Sequence, residues 1–256
     1  SEAVQLSAVQ QNGLAIQYIK NPSETVQIAA FQQNGLAIIH IEKTSEEVRL
    51  SAVQQNGLAI QYIKNPSETV QIAAVQQDAF AIKFIECQSE AVQLAAVRHH
   101  GYAIQYIKNP SETVQIAAVQ QHAFAIKFIE CKSEELQLAA VRHHGYAIQC
   151  IKNPSEEVQL AAIQSNEFVI QYIKNAFEAA KLSSIKQNSH SIRYIQNPSE
   201  ELKLIAVQKN GTSIQFIEHP SEELQLVAVK QNYKAAAFCT APSAINLAMQ
   251  LSKQNK

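Results

Sequence analysis

Asn109-Pro110-Ser111-Glu112-Thr113-Val114-Gln115-Ile116-Ala117-Ala118 decides the fold. Proline crowds the backbone of the residue before it, so a helix stops at Asn109. Ser111 opens the next helix, because its hydroxyl accepts an orphan backbone N–H. Glu112 suits the positive end of the new helix. The same pattern recurs every 22 residues with no insertion. Counting Ser1 as position 1, eleven repeats fill residues 1–242, and a half repeat, 243–256, closes the chain. All six glycines fall at position 13 and all seven prolines at position 22. Residues that punctuate structure are thus confined to one place per unit, and a period of this length signals stacked repeats.

Each unit reads as two short helices. The first is expected over positions 2–11, after the Ser cap. Gly at position 13 reads as the left-handed residue just past a helix end. A second helix is expected over positions 14–20, stopped by Asn-Pro. Helices shorter than about 12 residues are marginal alone, so neighbours must supply the stability. The apolar positions 4, 6, 8 and 9 flank the first helix on both sides, as in Val114, Ile116, Ala118 and Val119. Positions 15, 16, 18 and 19 form one apolar arc on the second, as in Ala103, Ile104, Tyr106 and Ile107. The expected fold is an all-α, elongated α-solenoid of about eleven helix-turn-helix repeats (1–242). Residues 243–256 then act as a C-terminal cap with a polar tail, Ser252 to Lys256. The first repeat carries no such cap, so its apolar edge is expected to be covered by preceding sequence or by end-to-end self-association.

Composition narrows the function. A net charge of −1 supplies no global field toward nucleic acid or acidic membranes. No apolar run reaches the roughly 18 residues of a membrane span. Cys87 and Cys131 share a register two repeats apart, roughly 20 Å at helix-packing spacing, whereas a disulfide needs Cα atoms within about 7 Å. Cys150 and Cys239 take apolar positions of the second helix. All four read as reduced thiols, which fits a cytoplasmic setting. The chain begins without Met inside a repeat and reads as an excised piece.

Repeats 1 and 3 differ only at Ala3/Glu47 and Gln5/Arg49, and repeats 4 and 6 only at Asp78/His122 and Gln88/Lys132. The duplicating unit is therefore a pair of repeats. The segments Asn153-Pro154-Ser155-Glu156-Glu157-Val158-Gln159-Leu160-Ala161-Ala162 and Gly145-Tyr146-Ala147-Ile148-Gln149 resemble a tandem α-helical repeat family known only as a domain of unknown function. That family occurs in bacterial and large-virus proteins as pairs of such units. The resemblance covers essentially the whole chain and implies no established activity. Phe177 in place of the capping Ser, and Lys234-Ala235-Ala236-Ala237-Phe238 in repeat 11, depart from the pattern.

Catalysis needs a unique constellation, and repetition works against one. No Gly-rich phosphate loop, Cys-x-x-Cys or His-Glu-x-x-His is present, so neither an enzyme nor a cofactor is expected. The most distinctive cluster is Arg98-His99-His100-Gly101-Tyr102, repeated as Arg142-His143-His144-Gly145-Tyr146. His122 shares the register of His100 and His144. Steps of about 10 Å between such imidazoles are too long for a shared metal, whose nitrogen ligands lie about 2.1 Å away. Lys83 and Lys127 add positive charge at position 17, and position 20 alternates Lys20, Glu42, Lys64, Glu86, Lys108, Glu130, Lys152. That ladder reads as ion pairing between repeats.

Two functions follow. The first is a non-enzymatic scaffold that presents a Gln/Asn/His/Lys-rich solenoid surface to a protein or peptide. Arg98, His99, His100, Tyr102, His122, Lys83, Lys127, Arg142, His143, His144 and Tyr146 are its candidate binding residues. The alternative is modular nucleic-acid recognition, with positions 10–14 and 17 reading bases. The scaffold is preferred, because basic patches are the expected footprint of nucleic-acid binders.

Overall fold

A computed structural model describes residues 1–254; Asn255 and Lys256, the end of the expected polar tail, lie outside the described residues. The chain is all-α, an α-solenoid of about eleven repeats followed by a C-terminal helix, Pro242–Gln254. It groups into two compact units, Ser1–Lys132 and everything from Ser133 onward. Within each unit, every contact between elements lies inside a repeat or between consecutive repeats. No strand occurs among the described residues.

The first helix of each repeat falls where the sequence places it, as in Glu112–Gln121. Ser111 Oγ accepts from Val114 N at 3.3 Å. The same hydroxyl donates to Glu90 Oε1 of the preceding repeat at 2.5 Å. Ser23, Ser67, Ser89 and Ser155 make the same link to Glu2, Glu46, Glu68 and Glu134. The Glu at position 2 therefore joins repeats as well as complementing the dipole. Phe177 has no side-chain cap to offer. From the second repeat to the eleventh, positions 4, 8 and 9 are buried, as in Val114, Ala118 and Val119, whereas Val4 and Ala8 of the first repeat are exposed; Ile116 at position 6 is half-buried.

The second element corrects the sequence reading. It is a 3₁₀ helix over positions 13–18, as in Gly101–Tyr106, rather than an α-helix over 14–20. Ala103 N donates to His100 O at 2.8 Å, and Ile107 N to Ile104 O at 3.0 Å. Six residues close few i→i+4 bonds, so the tighter winding is the better use of so short a segment. The position-12 side chain caps it: Asn56 Oδ1 accepts from Leu58 N at 3.0 Å. Position 19 then turns extended, as at Ile107 (φ −100°, ψ 123°).

The glycines are not left-handed; none has positive φ. They serve close approach instead. A Cβ on Gly101 would lie 2.4 Å from Ala118 O in the next repeat, and one on Gly57 would lie 2.4 Å from Ala74 O. Left-handed backbone occurs at position 21, before proline: Asn21, Asn65, Asn109, Asn153, Asn197 and His219, with φ between 46° and 51°. Proline bars the α region to its predecessor, and Asn tolerates the left-handed well. Asn109→Ala is therefore expected to lower stability by about 1 kcal/mol, and Asn109→Gly to leave it near wild type. Urea unfolding of both variants checks this; equal losses would mean that the Asn side chain, not its φ, matters.

The position-20 ladder does not pair. Among the described residues, ion pairs join Arg142 to Glu157, Lys181 to Glu178 and Lys203 to Glu200, and none involves position 20. These side chains point into solvent, where ion pairs gain little. No disulfide joins the four cysteines. Burial pushes the Cys239 thiol up, which disfavours the thiolate. No helix among the described residues is long and apolar enough to cross a membrane.

Candidate binding surface

Within each unit the 3₁₀ segments build a ridge. Position 18 was expected in the buried arc, but its rings are exposed: Tyr106 is 40% and Tyr172 44% accessible. Five of the rings lean on the position-14 ring of the preceding repeat. In the first unit Phe80 meets Tyr106 edge-on at 6.1 Å, and Tyr102 meets Phe128 at 5.8 Å. In the second, Tyr146 meets Tyr172 at 5.7 Å, Phe168 meets Tyr194 at 6.3 Å and His190 meets Phe216 at 5.3 Å. Edge-to-face pairs at these separations are favourable beyond their buried area.

Across repeats 4 to 6 the ridge thickens into one connected patch. His100 and His122 stack with ring centroids 4.4 Å apart and planes 20° from parallel. The expected spacing of about 10 Å fails here, because the position-13 glycine brings consecutive repeats almost into backbone contact at this joint. Phe80 lies 5.0 Å from His100, and Tyr102 lies 5.0 Å from His122. Gly101 N donates to His122 Nδ1 at 3.1 Å, and Tyr102 N donates to His100 Nδ1 at 3.3 Å. Both imidazoles thus accept at Nδ1, which requires that nitrogen to be deprotonated. Elsewhere position 11 of the next repeat supplies this acceptor: Gly57 N donates to Gln77 Oε1 at 2.6 Å.

Lys127 Nζ lies over Tyr102 at 5.3 Å and over Phe128 at 4.6 Å. Lys83 sits on Phe84 at 4.7 Å, and Arg193 spans Tyr194 and Phe216 at 4.7 and 5.2 Å. The sequence-selected residues therefore divide. His100, Tyr102, His122 and Lys127 converge on the patch, and Lys83 tops the ring beside it. Arg98 and His99 are exposed on the last turn of Glu90–His99, outside the stacked rings. In the second unit His144 packs on Tyr146 at 5.6 Å. Arg142 pairs with Glu157 at 3.6 Å, both well exposed, and His143 is exposed. Tyr106, Phe128 and Tyr172 belong to the surface, against the buried arc expected for position 18, and Phe80 lies at position 14, which only the nucleic-acid alternative assigns to binding in every repeat. The signal for them is the recurrence of aromatic residues at positions 14 and 18 together.

No group of three or more His, Cys, Asp or Glu among the described residues is placed to hold a metal ion. Fold and surface together define an all-α tandem-repeat solenoid with accessible, paired rings in each unit. Comparisons with family models, curated proteins and solved structures return no match to this chain.

Proposed function

We propose that this chain is a non-enzymatic scaffold that binds a protein or peptide along the aromatic ridge. The observation that carries the reading is the recurrence of accessible rings at position 18, five of which pair with position 14 of the repeat before. Exposed aromatic surface is costly to leave in water and typifies interaction sites. A ring held edge-on by its neighbour loses little freedom on binding, which favours affinity.

The nucleic-acid alternative draws support from the same rings, because bases stack on aromatic platforms. Lys127 and Arg193 already lie over ring faces that a base would need. The near-zero net charge also offers little to a phosphate backbone.

Peptides selected from a random displayed library on the full chain should lose at least about tenfold in affinity to a Tyr106→Ala, Phe128→Ala double variant. The variant should keep its helical circular dichroism. Selected peptides indifferent to both changes would remove the ridge from the site. Tight, sequence-dependent binding of single-stranded DNA or RNA at about 150 mM salt would overturn the protein reading.

A further inference from the structure

Grooves open where the loop of one repeat meets the 3₁₀ segment of the next. Those at repeats 4–5, 7–8 and 9–10 have matching volumes of about 680, 670 and 670 Å³. Their lining comes from equivalent positions, with position 5 (Gln93, Gln159 or Lys203) and the position-18 ring of the later repeat in each. Their charge differs. The first sets Glu86 beside Lys83 and Lys108, and the third sets Glu218 beside Arg193 and Lys203. In the groove at repeats 7–8 the charged lining residues are Lys152 and Lys174, with no acid. The cause is visible in the chain: the Lys–Glu alternation at position 20 ends at Lys152, which Lys174 follows. Both lysines are exposed, and neither makes an ion pair with a described residue.

The buried amide beneath the groove is already satisfied. Gln159 is 2% exposed. Its Nε2 donates to Pro154 O and Asn175 O, each at 3.2 Å, and its Oε1 accepts from Phe177 N at 3.0 Å. Ile148, Ile151, Ile173 and the Phe177 ring supply apolar lining. Phe177 stands where every other repeat has Ser, so this wall is peculiar to the site.

We propose that this groove takes an acidic peptide segment carrying one large apolar side chain. The apolar group lies on the exposed Tyr172 and Phe177 rings, and flanking carboxylates meet the Lys152 and Lys174 ammonium groups. The inference rests on the scaffold reading and names the class of partner. Charge complementarity selects it: a groove lined by two cations, no acid and two exposed rings attracts acidic peptides and rejects basic ones. A nucleic acid would find only two cations here, whereas phosphate binding draws on many.

The probe is a short fluorescein-labelled peptide with Phe between pairs of Asp, titrated against the full chain by anisotropy. Saturable binding is expected. It should weaken at least about tenfold in Lys152→Glu, Lys174→Glu, weaken less in the Gln double variant, and hold in Tyr106→Ala. The same peptide with Lys for Asp should not bind. No binding by the wild-type chain, or equal binding by the charge-reversed variant with its circular dichroism intact, would overturn the groove. If library-selected peptides then still depend on Tyr106 and Phe128, the scaffold reading survives without it. Single-stranded DNA that outcompetes the peptide in a lysine-dependent way would overturn the assigned class of partner.

Discussion

Gly101→Val is expected to lower the unfolding free energy by about 3 kcal/mol, with Gly101→Ala between it and wild type. The added atoms meet Ala118 O, a backbone atom, and the first would already lie 2.4 Å away. His122 Cβ and N follow at 3.1 Å, so the joint has little room to yield. Relief requires the two repeats to separate, which also pulls Gly101 N from His122 Nδ1 and disturbs the imidazole stack. Ala79 and Ala123 occupy the same position in repeats 4 and 6 at 2% and 3% exposure, so a methyl can be housed where the surroundings are built for it. Gly101→Asn separates two causes. Asn tolerates left-handed backbone, so a requirement for positive φ would make it mild; a requirement for close approach makes it nearly as damaging as Val. Urea unfolding followed by circular dichroism reads all three variants. An unchanged midpoint for Gly101→Val would contradict the close approach.

Gln159→Leu is expected to cost about 3 kcal/mol, although Leu is apolar and of similar size. The side chain ties together three backbone groups of two consecutive loops, those of Pro154, Asn175 and Phe177. Leu fills the space but leaves the three groups without those partners. The desolvation of orphaned backbone then dominates over any gain from apolar burial. Gln159→Glu keeps an acceptor for Phe177 N and loses both donated bonds, so it should also destabilise. Gln225 makes the analogous clamp, accepting from Thr240 N and Ala241 N at 2.8 Å. Thermal unfolding of Gln159→Leu at or above the wild-type midpoint would show that water replaces the clamp without loss.

The first helix was legible because its signals are local. Ser at position 1 and the apolar positions 4, 8 and 9 act within ten residues, and the observed ends match. The second element misled because Asn56-Gly57 fits two readings. As a helix end it calls for left-handed Gly; as a start it calls for a side chain that caps the next turn. Every residue at position 12 is Asn, Asp or His, each with an acceptor at the same reach, and this favours the start. Periodicity puts position 18 beside the buried positions 15, 16 and 19, whereas contact between consecutive repeats leaves Tyr106 and Phe128 accessible and seats them on position 14 of the repeat before. The Ser111–Glu90 link and the His100–His122 stack join residues 21 and 22 apart. They depend on how closely repeats pack, which no local pattern encodes. The position-20 ladder failed for the opposite reason: its pattern is conspicuous, but exposed charges have no need to pair.

The close joint between repeats is what lets such short 3₁₀ segments hold their rings in register. Amide hydrogen exchange by NMR at Gly57 and Gly101 tests that joint most directly. Each N–H donates to a side chain of the next repeat and belongs to a six-residue helix with little stability of its own. Protection within about tenfold of the Val75 and Val119 amides in the adjoining first helices is expected. Exchange at the rate of an unstructured chain, with those helices still protected, would contradict it.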